Sequence, residues 1–161
     1  MGSVWERIPF KAPLLLELSY GRLKLQLKIT SKQGERIFLK QLSVSLNESK
    51  GEKKLYDFKS SVYALSRLRV LGKLELVWFE PDLEEAVFKT RGKSFYQLEL
   101  KARRLDLKKF VLSSSGKREA KAFSLSSSQL RDLIQSLGEV LLCSQVKFQL
   151  IKELEELKEA G

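Results

Sequence analysis

The fold is decided by the stretch Arg22-Leu23-Lys24-Leu25-Gln26-Leu27-Lys28-Ile29. Successive side chains of a strand point to opposite faces. Leu23, Leu25, Leu27 and Ile29 therefore share one side of the pleat, and Arg22, Lys24, Gln26 and Lys28 share the other. The apolar side can bury in a core. The opposite side, cationic at three of its four positions, faces outward and begins a surface suited to polyanions.

The neighbouring sequence extends this strand into a sheet. Leu14 to Tyr20 reads as a strand closed by Gly21, and Gln33-Gly34 marks the turn after Thr30. Glu35 to Leu46 changes parity. Ile37 and Leu39 share one face and Leu42, Val44 and Leu46 the other, which a bulge near Lys40-Gln41 reconciles. Trp5 to Pro13 reads as an extended lead-in and Asn47 to Lys54 as a polar loop. Asp57 to Leu71 carries Phe58, Val62 and Leu65 at helical spacing, with Asp57 and Gly72 placed to cap the ends. Val62-Tyr63 and Leu68 to Leu71 also suit a strand pair, but the spacing fits a helix better.

A second series follows: strands at Lys73 to Phe79, Glu84 to Lys89, Ser94 to Arg103, Leu105 to Leu112 and Ala120 to Leu125. Arg91-Gly92-Lys93 and Ser113-Ser114-Ser115-Gly116 are its turns. Trp78 shares parity with Leu74 and Leu76, which assigns it to the core. Ser126-Ser127-Ser128 offers an N-cap to a helix bearing Leu130, Leu133, Ile134, Leu137 and Leu141. The same spacing continues through Phe148, Ile151, Leu154 and Leu157. The expected architecture is α+β. Antiparallel twisted sheets form a β-meander followed by a helix, once or twice, with a long C-terminal helix. The chain is either one compact domain over 1–161 or two packed repeats, about 14–72 and 73–145, with a helical extension at 146–161.

Composition narrows the chemistry. The 161 residues carry 30 Lys and Arg against 20 Asp and Glu, a formal charge of +10. The last ten residues hold two Lys and four Glu, so the remainder is more basic still. An excess of this size suggests nucleic acid first and an anionic membrane surface second. Histidine is absent, which removes Ser-His-Asp and Cys-His catalysis and His-ligated zinc. The lone cysteine, Cys143, permits no intrachain disulfide and no Cys-rich metal site. No Walker loop, GxGxxG or GxSxG occurs. The expectation is a non-enzymatic protein with no catalytic residues, no cofactor and no metal site. No apolar run approaches 18 residues, so no membrane span is expected. Met1 to Glu6 lacks a secretory h-region, and an intracellular location is the expectation.

Parity names the candidate binding residues. Arg22, Lys24 and Lys28 share a face, with Arg36 and Lys40 on the adjoining hairpin. Phe95, Lys101 and Arg103 share the parity opposite to Tyr96, Leu98 and Leu100. Lys108 and Phe110 share another face, and Lys117 and Arg118 sit at a hairpin. Cations would meet phosphates, while Phe95 and Phe110 would stack on unpaired bases.

The segment Lys93 to Gln145 orders an aromatic strand (Ser94-Phe95-Tyr96-Gln97-Leu98-Glu99-Leu100), a basic strand (Leu107-Lys108-Lys109-Phe110-Val111-Leu112), the Ser/Gly hairpin, the strand Lys121-Ala122-Phe123-Ser124-Leu125 and a helix opening at Ser128. This resembles the repeat of the Pur-alpha family and, more loosely, the Whirly family and the transcriptional coactivator positive cofactor four. The resemblance rests on strand order and residue character over about a third of the chain. It implies strand faces that bind single-stranded DNA or RNA, and repeats or chains paired through helices. The expected partners are single-stranded nucleic acid and a second copy, as a homodimer through helices. The alternative is an assembly module whose apolar C-terminal helix, Phe148 to Leu157, docks a partner.

Overall fold

The computed structural model describes residues 8, 14–20, 22–46 and 58–142. The fold is α+β. Strands β1 (Leu14–Tyr20), β2 (Leu23–Gln33) and β3 (Arg36–Leu46) precede helix α1 (Phe58–Ser66). Then come β4 (Glu75–Glu80), β5 (Glu85–Lys89), β6 (Ser94–Lys101), β7 (Arg104–Leu112), β8 (Arg118–Lys121), β9 (Phe123–Ser126) and helix α2 (Ser127–Leu142). The sheet is antiparallel in the order β1-β2-β3-β7-β6-β5-β4, with β8 on β7 and β9 on β3.

Alternation in the sequence becomes a two-faced sheet because the register keeps apolar residues opposite one another. Leu18, Leu25 and Val44 lie in one row, and Val44 faces Leu105 and then Leu100 in the next strands. Leu27, Leu42, Leu107 and Leu98 form a parallel row, all at 0% exposure. The β3–β7 pairing carries one core through both halves of the chain. The expected bulge is present. Gln41 pairs with Lys28 and Leu39 with Ile29, leaving Lys40 as the extra residue that returns Leu39 to the covered face.

Both helices pack on the leucine face. α2 buries Leu130, Leu133, Ile134, Leu137 and Leu141. Its start is a reciprocal capping box: the Gln129 amide donates to Ser126 Oγ (3.2 Å), and the Ser126 amide donates to Gln129 Oε1 (2.9 Å). α1 buries Phe58 and Leu65, stacks Phe58 on Phe79 at 5.8 Å, and donates from Ser61 Oγ to the Val140 carbonyl of α2 (2.9 Å). Among the described residues no helix is long and apolar enough to cross a membrane.

Three expectations are corrected. The helix of the Asp57 to Leu71 segment is described from Phe58 and stops at Ser66, and the residues after it form turns. The single strand expected at Ala120 to Leu125 is two. β8 runs into the sheet along β7, and the chain turns at Ala122 and leaves along β3 as β9. β3 and β7, paired from Leu42 to Ser45, therefore part beyond Leu42 and the sheet forks. Trp78 is not core. A bulge between Leu76 and Trp78 reverses the parity of β4, so Leu76 faces Phe88 while Trp78 faces Val87 on the other side, 53% exposed. The lead-in at Trp5 to Pro13 (apart from the buried Ile8), the loop Asn47 to Lys54, Cys143 and the stripe Phe148 to Leu157 lie outside the described residues.

Candidate nucleic-acid interface

The face opposite the leucines carries most of the candidate residues. Lys24 and Lys28 project from β2 opposite Ser45 and Gln41 of β3. Lys108 lies opposite Gln97, Phe110 opposite Phe95, and Lys101 opposite Arg104. Register thus gathers Lys24, Lys28, Phe95, Lys101, Lys108 and Phe110 onto one face. The others sit at its margins. Arg22 is half-buried in the turn entering β2. Lys40 is the exposed bulge residue; with Lys28 it flanks a shallow concavity of about 210 Å³ floored by Leu14, Leu15 and Ile29. Arg103 lies in the β6–β7 turn, where its carbonyl accepts from the Leu46 amide (3.0 Å). Arg36 is committed to structure: Nε and Nη2 donate to Ser124 Oγ at 3.1 and 3.0 Å, tying β3 to β9.

Carboxylates divide this face. Asp106 Oδ1 accepts from Arg104 Nε (2.9 Å), Gln41 Nε2 (3.0 Å) and Ser43 Oγ (2.5 Å), so the centre of the sheet is a satisfied polar network. Glu17 accepts from Gln26 on β1–β2, Glu85 lies 3.7 Å from Lys101, and Glu75 pairs with Arg91. Exposed pairs such as these add little stability, but they blunt the positive field where they occur.

The β6–β7–β8 corner differs. Phe95 and Phe110 meet across β6–β7 with ring centroids 5.9 Å apart, tilted by 31°. Arg118 of β8 lays its guanidinium 4.1 Å from the Phe110 centroid and 5.5 Å from that of Phe95, and it donates to Gln97 Oε1. Lys89 of β5 covers Phe95 from the other side at 5.4 Å. Each such cation–ring contact contributes about 0.5–1 kcal/mol at an exposed site. Phe95 is consequently 4% exposed. It is the floor of the cluster and offers no surface to a base, a correction to its expected stacking role; Phe110 and the Arg118 plane are the reachable layers.

Further cations ring the same corner. The Lys93 carbonyl accepts from the Leu112 amide (2.7 Å), which sets the Arg91-Gly92-Lys93 turn beside the tip bearing Lys117. On the reverse side of the ribbon Lys109 and Lys121 stand directly opposite one another. Like charges so placed repel, and an anion between them relieves the cost. Lys109 also covers the Tyr96 ring at 5.4 Å. Burial pushes the Tyr96 hydroxyl above its ordinary pKa, with the Arg36 charge pulling the other way.

Parity reasoning missed Lys89 and Gln97, registered Arg118 only as a hairpin residue and placed Trp78 in the core. Lys89, Gln97 and Arg118 act through cross-strand neighbours and Trp78 is turned outward by the β4 bulge, neither of which has a local signature. Among the described residues no cluster of carboxylates or thiols comes together that could hold a metal ion. No family model, curated protein or solved structure matches this chain.

Proposed function

We propose that the protein binds single-stranded DNA or RNA, without catalysis, through the open sheet face centred on the β6–β7–β8 corner. The observation that carries this reading is the layered cluster of Phe95, Phe110 and Arg118, with Lys89 and Lys108 beside it. An unpaired base needs a flat partner, and its phosphate needs a nearby cation. Phe110 and the Arg118 guanidinium supply the first, and Lys89, Lys108 and the turn lysines the second. Duplex bases are already stacked and cannot enter such a layer.

Fluorescence anisotropy with labelled single-stranded and duplex oligonucleotides at two salt concentrations tests the reading. Single strands should bind more tightly, with affinity falling steeply as salt rises. Equal affinity for duplex, or no dependence on salt, would overturn it.

A further inference from the structure

Among the described residues β1 and β4 close the two ends of the strand order, and they are built differently. β1 carries the exposed Glu17 at its centre. β4, last in the strand order, has no charge between its ends. Leu76, Val77, Trp78 and Phe79 are 48%, 49%, 53% and 44% exposed, and Leu83 in the following turn is 63% exposed. Edges that stay free in solution generally carry charge, because bare ladder groups beside apolar side chains recruit further strands. An apolar β4 is therefore an edge suited to a partner.

The charges at its ends select that partner. Lys73 lies exposed just before the strand and Glu80 closes it. If β4 runs antiparallel to a second β4 with Leu76 opposite Val77, Lys73 of each copy comes opposite Glu80 of the other, twice over. A slip by two residues in one direction would set Glu75 against Glu80, also twice, and in the other it would leave Lys73 opposite Trp78, so charge favours the first register. The bulge at Val77 coils the strand, and rotation about a two-fold axis preserves the hand of that coil. A second copy thus brings a matching kink, which a flat foreign strand lacks. We infer that β4 is a self-complementary dimer seam, joining the sheets of two copies edge to edge. The two-fold axis stands perpendicular to the sheet and leaves both open faces on the same side.

Sedimentation of the full chain tests this. A concentration-dependent dimer is expected, and Val77→Lys should weaken it by at least about tenfold. Leu15→Lys on the other edge should leave it unchanged. Glu80→Lys should weaken association about tenfold, and adding Lys73→Glu should restore it to within about twofold, because the exchanged charges again oppose. In a Cys143→Ser background, Lys73→Cys combined with Glu80→Cys should form disulfide-linked dimers on mild oxidation. Either cysteine alone should not, since identical positions would lie about 20 Å or more apart. If Val77→Lys fails to fold, the charge exchange and the cysteine pair decide by themselves. A monomer up to about 100 µM, a dimer indifferent to the charge exchange, or cross-linking by a single cysteine would overturn the seam.

Discussion

The β1–β2–β3 and β5–β8 halves of the open face start from the same strand pattern and end with different chemistry. In the first half, Lys24 and Lys28 stand among Ser45, Gln26, Gln41 and Glu17, with the Asp106 network beside them. In the second, Lys89 and Arg118 lie over Phe95 and Phe110, while Glu75, the cross-strand neighbour of Lys89, pairs with Arg91. The contrast teaches that cationic parity alone does not make a binding surface. Cross-strand register decides whether a cation meets a carboxylate, which cancels its field, or a ring, which converts it into a flat stacking layer.

Arg118→Glu is the substitution that should break this contrast most. It removes the outer plane and puts a negative charge above two rings. We expect an affinity loss of about 100-fold for a single-stranded oligonucleotide, read by anisotropy. Phe110→Ala should cost about tenfold while leaving the salt slope unchanged, because the ring stacks but carries no charge. Lys108→Gln should weaken binding several-fold and reduce the logarithmic salt slope by about 0.7, the share of one phosphate contact on a single strand. Lys24→Gln with Lys28→Gln should cost only about threefold. A loss as large as that of Arg118→Glu would mean that the two halves bind equally.

The smallest effect concerns stability and the reverse side of the same corner. The Tyr96 hydroxyl titrates above its ordinary value of 10.0 because it is partly buried. Above that pH the unfolded chain releases the proton before the folded one does, so folding stability falls as pH rises; below it the group contributes no slope. Tyr96→Phe should flatten this alkaline loss in urea titrations, and an unchanged slope would assign the loss to other groups.

Much of the fold was legible because its rules are local. Period-two alternation in Arg22 to Ile29 sets which side chains enter the core, and the parity change between Leu39 and Leu42 announces the bulge. Ser126 and Gln129, three residues apart, mark the start of α2. The β4 bulge escaped notice because Leu74, Leu76 and Trp78 keep perfect alternation in sequence, and only pairing with β5 turns Trp78 outward. The split of β8 from β9 escaped for the same reason: Arg118 to Ser126 contains no break as strong as Gly or Pro.

By itself the sequence determined the strands, the leucine face, the cap of α2 and the surplus of positive charge, since each depends on backbone period or on composition. Only the tertiary structure decided that Phe95 lies beneath Arg118, that Asp106 reaches Ser43 across 63 residues of chain, and that Arg36 ties to Ser124 across 88. Those outcomes follow from the register of strands far apart in sequence, and register is set by how all the rows of the core pack together.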